Sequence, residues 1–154
     1  MIHIVFWQPQ IPPNTGNAIR LCANTGFNLH VIHPLGFDLS EHAVRRAGMD
    51  YAELSVLTEH ESYQDFLEAV KPRKVWAVET FGTGRYSEAA IEAGDALIFG
   101  PETANLGKEV VDSLPDEQIL RIPMREGVRS LNLSNAAAVV AYDVWRRLGF
   151  EGGV

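Results

Sequence analysis

The chain has 154 residues, of which 46% are hydrophobic and 21% charged, and its formal net charge at pH 7 is −7. These values predict one globular domain, residues 1–154, with a sizeable core. The acidic charge argues against non-specific nucleic-acid binding over the whole surface, although basic residues cluster locally, as at 121–129. The chain shows no secretory signal, no apolar run of bilayer length and only one cysteine, so we expect a cytoplasmic protein without disulfides.

Short apolar runs alternate with helical patterns along the chain. Strands are predicted at residues 2–7, 29–33, 54–57, 75–80, 96–100 and 118–123. Helices are predicted at residues 14–26, 40–48, 61–72, 107–113 and 134–148. In the first helix we expect Asn14 to be the cap, Gly26 the left-handed exit and Cys22 a buried structural thiol. The alternation is typical of an α/β fold with a mostly parallel sheet and helices on both faces.

Three polar, glycine-containing segments follow predicted strands, at residues 81–84, 101–107 and 124–135. Because the carboxyl ends of parallel strands meet at one edge of a sheet, these segments are expected to converge on a ligand site. Gly100 would let backbone approach a ligand closely, and Glu102 adds a carboxylate. The last helix also opens among more polar side chains than one cap needs, namely Ser130, Asn132, Ser134 and Asn135.

Two other kinds of site have weaker support. His30 and His33 look like a pair of metal ligands, but their odd spacing on a strand places them on opposite faces, so no metal is expected. Residues 75–93 predict a strand, a glycine loop and a helix, as in dinucleotide-binding folds. However, Ser87 stands where that fingerprint has its third glycine. A nicotinamide-dependent enzyme therefore stays a minor alternative.

Three segments together resemble the motifs of the SPOUT superfamily of RNA methyltransferases, in its 2′-O-ribose branch. They are, in family order, NTGNAIR (14–20), ALIFGPETANLG (96–107) and IPMREGVRSLNLSNAAAVVAYDVW (122–145). The likeness is greatest to the minimal tRNA (cytidine/uridine-34) 2′-O-methyltransferase subfamily and extends essentially end to end. It implies a C-terminal deep trefoil knot, which breaks the general rule against knotted connections. The knot loops would bind S-adenosylmethionine, and no metal would be required.

The resemblance also implies which residues form the site. Those expected to contact S-adenosylmethionine, and its product S-adenosylhomocysteine, are Val78, Glu79, Thr80, Gly100, Ile122, Ser130 and Leu131. Those expected around the reacting hydroxyl are Arg20, Asn14, Glu102 and Asn132. A guanidinium group is almost always protonated, which makes Arg20 a poor general base. Binding of a neighbouring phosphate by Arg20 is an equal alternative for its role.

The function implied by the resemblance is methyl transfer to the ribose 2′-hydroxyl of the wobble nucleotide, C34 or U34, in the anticodon loop of tRNA. A homodimer is implied as well, with Tyr142 and Trp145 either at the interface or in the core. Two alternatives stay open. One is the same reaction at another tRNA position or on ribosomal RNA, and the other is a catalytically silent RNA-binding protein of the same fold.

Overall fold

The computed structural model describes residues 1–40 and 51–154, so the predicted helix at 40–48 lies outside the described residues. One sheet contains β1 (His3–Trp7), β2 (Asn28–Ile32), β3 (Leu57–His60), β4 (Val75–Val78), β5 (Gly84–Arg85), β6 (Ala96–Phe99) and β7 (Ile119–Arg121). The order across the sheet is β3-β2-β1-β6-β4-β7-β5, and all the described strand pairs are parallel. The prediction of an α/β fold with a mostly parallel sheet is confirmed.

Helices cover both faces of this sheet. They are α1 (Pro12–Thr25), α2 (Tyr51–Leu54), α3 (Tyr63–Val70), α4 (Lys108–Val111) and α5 (Leu133–Arg147), with a 3₁₀ turn at Asp116–Gln118. Successive strand side chains point to opposite faces. Accordingly, Ile4 packs in the core with α1 and α5, whereas Val5 packs in the core with α3 and α4. None of the described helices has the length and apolar content needed to cross a bilayer.

The third strand differs from its prediction. Residues 54–57 were expected to form it, but Leu54 ends α2 and β3 begins at Leu57. Pairing with β2 sets this position, since Leu29 N–H donates to Val56 O at 2.8 Å and the register matches Leu29 with Leu57. The sequence of β3 is Leu-Thr-Glu-His, three residues of which are polar. A search for apolar runs therefore misses it.

The helix expected after the glycine loop 81–84 is also absent. Residues 86–95 contain only turns and extended backbone. The buried carboxylate of Asp95 organises them, because it accepts hydrogen bonds from Glu92 N–H, Trp76 Nε1 and the Arg73 guanidinium at 2.8–3.0 Å. Dinucleotide-binding folds bind the pyrophosphate at a helix N-terminus in this position. The nicotinamide alternative therefore loses its structural basis.

The first helix begins three residues earlier than predicted, because its N-cap is at position 11 and not at position 14. Ile11 occupies the N-cap without a side-chain hydrogen bond, and prolines follow it. Proline suits the first turn, because N–H groups there have no intrahelical acceptor. Asn14 is therefore not the cap. The prediction for the other end is confirmed, since Gly26 has φ +73° and ends α1 in the left-handed conformation. Cys22 is buried, and burial raises the pKa of its thiol to about 12.

Candidate active site at the carboxyl ends of the strands

A cavity of about 610 Å³ opens where β4, β6 and β7 end. Its walls come from the residues after these strands, the start of α1 and the segment that leads into α5. Lining it are all seven residues expected to contact the cofactor: Val78, Glu79, Thr80, Gly100, Ile122, Ser130 and Leu131. Asn14, Glu102 and Asn132 line it as well. The volume is within the roughly 300–1,000 Å³ of small-molecule pockets.

Gly100 is required by close packing beside the cavity. A Cβ atom there would lie 2.8 Å from Leu106 N and 3.1 Å from Glu79 Oε1. Glu79 Oε1 accepts a hydrogen bond from Leu106 N–H at 2.6 Å. Burial raises the pKa of Glu79, although hydrogen bonds from the Leu106 and Thr80 N–H groups oppose this. Glu79 thus holds the loop after β6 against the end of β4.

Glu102 connects that same loop to the start of α1. Its carboxylate accepts hydrogen bonds from Gln10 N–H at 2.9 Å, Ile11 N–H at 2.7 Å and Asn14 Nδ2 at 3.0 Å. Burial by itself would raise the pKa of Glu102, but these hydrogen bonds outweigh it and the pKa lies below its ordinary value. The carboxylate is therefore ionised at neutral pH, and its oxygens are already occupied as acceptors.

Asn14 and Asn132 continue this chain of hydrogen bonds. Asn132 Nδ2 donates to Asn14 Oδ1 at 2.9 Å. Asn132 is also the N-cap of α5, and its Oδ1 accepts from Ser134 N–H at 2.9 Å, Ser134 Oγ at 2.7 Å and Asn135 N–H at 3.3 Å. Asn132 therefore has two roles at the start of α5. Its side-chain oxygen caps the helix, and its amide nitrogen binds Asn14, which in turn binds Glu102.

Arg20 is the one predicted site residue that does not line the cavity. It lies on α1 six residues after Asn14, a rise of about 9 Å along the helix. Its exposed guanidinium forms an ion pair with Glu53 through Nε. Asn17, on the same helix, is exposed, and its Nδ2 lies 3.4 Å from Ser134 Oγ. In the single chain, Arg20 and the hydrogen-bonded asparagines are therefore separate.

The glycine loop 81–84 has a structural role. A Cβ atom on Gly82 would lie 2.4 Å from the backbone of Leu120, and Thr83 N–H donates to Ile119 O at 3.1 Å. The loop is thus packed directly on β7, and only Thr80, just before it, reaches the cavity. The expectation that three loops would converge holds for the segments after β6 and β7. For β4 it holds for residues 78–80 alone.

Eleven further lining residues were not predicted individually, although seven of them lie in the segments 101–107 and 124–135 that were expected to converge on the site. They are Ile11, Phe99, Pro101, Thr103, Ala104, Asn105, Pro123, Met124, Arg129, Leu133 and Ala136. Arg129 belongs to a basic cluster that the sequence reveals, whereas nothing in the local pattern around Ile11 marks it as a wall of the cavity. Ile11 is held at the site by Glu102, which accepts a hydrogen bond from the Ile11 N–H group.

The histidines form a hydrogen-bonded row across the sheet. His3 Nδ1 lies 3.0 Å from His30 Nε2, and His30 Nδ1 lies 2.9 Å from His60 Nε2. His33 instead pairs with Glu59. Within residues 1–40 and 51–154 there is no group of three His, Cys, Asp or Glu side chains suited to holding a metal ion. Sequence reasoning missed this row, because His3 and His60 lie on different strands.

The two aromatic residues of α5 differ in environment. Tyr142 is exposed, whereas Trp145 packs partly against the core. Trp145 Nε1 donates to Glu151 O at 3.1 Å, and its ring contacts Phe150 edge-on at a centroid distance of 5.2 Å. Tyr142 shares its exposed helix face with Val139. The Tyr142 ring contacts Trp145 edge-on at a centroid distance of 5.5 Å, and Tyr142 is the more exposed of the two.

Known proteins match this chain over nearly its whole length. The model of the SpoU rRNA Methylase family matches residues 1–142. A tRNA (cytidine(34)-2′-O)-methyltransferase of Escherichia coli (strain K12) is 52% identical over 154 residues, covering 100% of this chain and 98% of that protein. A solved structure that concerns the 2-OH methylation of C/U34 on tRNA has 45% identity and a TM-score of 0.84, covering 97% of this chain and 91% of that one. The SpoU methyltransferase AviRb from Streptomyces viridochromogenes, in complex with AdoMet, shares the fold with a TM-score of 0.81 at 21% identity, covering 99% of this chain and 58% of that one.

Proposed function

The chain belongs to the SpoU rRNA methylase family, and from this premise we propose that it transfers a methyl group from S-adenosylmethionine to the ribose 2′-hydroxyl of C34 or U34 in tRNA. The observation that carries the proposal is the full-length match, at 52% identity, to a relative with that activity. The cavity supports it, because ten of the eleven expected site residues line one space. Since tRNA is the substrate, we expect the protein to act in the cytoplasm.

The cavity suits a nucleoside-sized cofactor. Val78, Phe99 and Ile122 provide apolar walls, and the missing side chain of Gly100 keeps backbone accessible beside the loop after β6. S-adenosylmethionine would supply a methyl group on a positively charged sulfur, a good leaving group that requires no metal. Val78, Glu79, Thr80, Gly100, Ile122, Ser130 and Leu131 are the residues that we propose hold it.

The side chains around the cavity are suited to orienting a ribose. Each amide nitrogen has two N–H groups, so Asn14 and Asn132 each retain one N–H beyond the bonds described above. Glu102 fixes the amide of Asn14 and, with its lowered pKa, is a weak base. Alignment of the hydroxyl with the methyl group would then supply most of the rate, up to roughly 7–11 kcal/mol in favourable cases.

We propose that Arg20 acts in a homodimer. A guanidinium has N–H donors and no acceptor, so Arg20 is suited to binding a phosphate, which would replace Glu53 as its partner. Because Arg20 does not reach the cavity of its own chain, a second copy packed on α1 and α5 would allow it to serve the partner's cavity. The exposed Val139 and Tyr142 on α5 support such an interface.

We infer that residues 1–154 form one SPOUT domain with a C-terminal trefoil knot. The segment 79–91 contacts the chain both before and after the cavity-lining segment 122–132. Glu79 N–H donates to Leu120 O at 2.9 Å, and Arg147 Nη1 donates to Ala89 O at 2.6 Å. These contacts support an arrangement in which residues 79–91 form the loop that the C-terminal segment threads.

The proposed reaction can be tested by incubating the protein with labelled S-adenosylmethionine and unmethylated bulk tRNA. Nuclease digestion and mass spectrometry then locate the label. We expect a 2′-O-methyl group at nucleotide 34 of the anticodon loop. A label on another ribose, or on ribosomal RNA alone, would overturn the assigned position. Transfer to no RNA, with S-adenosylhomocysteine still bound, would favour a silent RNA-binding protein.

A further inference from the structure

Arginines in the described part of the chain divide into two groups. Those that form ion pairs with carboxylates are Arg20, Arg73, Arg85, Arg146 and Arg147. Arg121, Arg125 and Arg129, which we call the arginine strip, have no ion-pair partner among the described residues. All three are exposed. In a chain of net charge −7, with acidic side chains in excess, this lack of partners sets the strip apart.

One member of the strip lines the cavity, and the other two adjoin residues that line it. Arg121 ends β7, residues 122–124 line the cavity, Arg125 follows them, and Arg129 lines the cavity itself. Residues 121–129 contain three arginines and one carboxylate, Glu126, which leaves a net charge of +2. Neighbouring like charges repel, so such a strip gains most from an anionic partner that supplies oxygen acceptors.

Exposed apolar side chains accompany these charges. Phe81, Val128 and Leu131 are 46%, 55% and 51% exposed, respectively. Phe81 follows the lining residue Thr80, Val128 precedes Arg129, and Leu131 itself lines the cavity. The next residue, Gly82, packs on the backbone of β7, which fixes the backbone position beside Phe81. Guanidinium groups interspersed with exposed apolar and aromatic groups are typical of surfaces that bind single-stranded nucleic acid, with phosphates on the cations and bases on the rings.

We propose that the arginine strip binds the phosphates of the single-stranded RNA that flanks the methylated ribose, and that Phe81 stacks on one of its unpaired bases. This inference rests on the proposed function and adds the face from which RNA enters the cavity. It assigns substrate binding to residues that do not hold the cofactor, so the affinities for RNA and for cofactor can be separated. The strip would also allow an acidic protein to bind a polyanion, since its net positive charge is concentrated in a segment that lines the cavity.

The test is the double variant Arg121→Gln/Arg125→Gln, measured with an unmodified tRNA as the probe. The slope of log K against log salt is negative, and each lost phosphate contact reduces its magnitude by about 0.7 on single-stranded RNA, so we expect a slope that is less steep by about 1.4. Because two phosphate contacts are lost, the KM for tRNA should rise on the order of ten-fold or more. The affinity for S-adenosylhomocysteine and the melting temperature should stay those of the wild type.

A control is Lys71→Gln, which removes one exposed positive charge by the same kind of substitution, where the double variant removes two. Lys71 caps α3 and precedes β4, so it lies at the opposite end of the sheet from the cavity. This variant should retain the wild-type salt slope. A double variant with unchanged slope and KM would overturn the inference, and an acidic protein would then be the partner to examine. Failure of the wild type to methylate any RNA would instead contradict the proposed function, while the binding slope would still test the strip.

Discussion

At the scale of single residues, Glu102 is better described as a clamp than as a catalyst. Its carboxylate accepts three hydrogen bonds from residues 10–14. Glu102→Gln would replace one acceptor oxygen by a donor and leave at least one N–H group unpaired. We expect the free energy of unfolding to fall by about 1–3 kcal/mol. Urea denaturation measures this loss, and calorimetry should show weaker binding of S-adenosylhomocysteine.

Glu88→Gln is the control for Glu102, because it makes the same chemical change at an exposed ion pair with Arg85. Exposed pairs contribute little, so we expect a change within about 0.5 kcal/mol. If Glu102→Gln were as stable as this control and bound S-adenosylhomocysteine normally, the clamp would be refuted.

A second prediction concerns Arg20, the predicted site residue that lies outside the cavity. Arg20→Ala should abolish methyl transfer to tRNA and leave the affinity for S-adenosylhomocysteine unchanged, since Arg20 does not line the cofactor cavity. Single-turnover methylation and calorimetry measure the two quantities. The control is Asn24→Ala, one turn further along α1, whose side chain donates to the Arg20 carbonyl at 2.9 Å. Normal turnover by Arg20→Ala would remove this residue from the site.

At the scale of elements, the start of α5 joins stability to function through Asn132. Asn132→Ala removes the N-cap and the hydrogen bond to Asn14. Loss of a cap costs about 0.5–2 kcal/mol, so the melting temperature should fall. Methylation of tRNA should fall further than this instability explains, because the amide of Asn14 loses its partner.

Ser62→Ala provides the comparison, since Ser62 caps α3 by accepting from Asp65 N–H at 3.0 Å. This helix lies on the other face of the sheet from α5. We expect a similar fall in melting temperature and unchanged kinetics per folded molecule. Equal kinetic effects in the two variants would mean that Asn132 acts only through helix stability.

Elements also show which predictions local patterns support. The ends of α1 and α5 were predictable, because Gly26 and Gly149 have positive φ angles that glycine adopts without strain. The position of β3 was not, because a polar strand is held by its pairing with β2. The turns at residues 86–95 were not predictable either. They form around Asp95, whose partner Arg73 is distant in the chain.

At the scale of the whole molecule, the buried histidine row makes stability depend on pH. Burial, together with neighbouring His3 and His60, lowers the pKa of His30 to about 3, from 6.5 in the unfolded chain. Between about pH 3 and pH 6.5, His30 is therefore protonated in the unfolded state and neutral in the folded state. Stability is therefore complete above pH 6.5 and decreases as the pH falls, by up to about 1.4 kcal/mol per pH unit. Urea denaturation at pH 7.5, 6 and 5 measures this slope.

The variant His30→Asn separates this linkage from other acid effects. It should be less stable than the wild type at pH 7.5, because the row of hydrogen bonds is broken, and its stability should depend less on pH. If the stability of His30→Asn depended on pH as strongly as that of the wild type, His30 would not be the source of this dependence.

Assembly is the second property of the whole molecule. Val139→Asp places a charge on the exposed face of α5, so we expect the proposed dimer to dissociate and tRNA methylation to be lost. Sedimentation at micromolar concentration measures the first effect. Ala69→Asp, on the exposed side of α3, should leave the dimer intact. A wild-type protein that sediments only as a monomer would contradict the proposal.

The sequence by itself determined the alternation of strands and helices, the glycine ends of two helices and the family motifs, because each depends on residues close together in the chain. Only the tertiary structure decided that Asn14 binds Glu102 and does not cap α1, that loop 81–84 packs on β7, and that Arg20 lies outside the cavity of its own chain. The physical reason is distance along the chain: Asn14 meets Asn132 across 118 positions. A local pattern shows that an amide needs partners, and the packing of the sheet determines which partners it reaches.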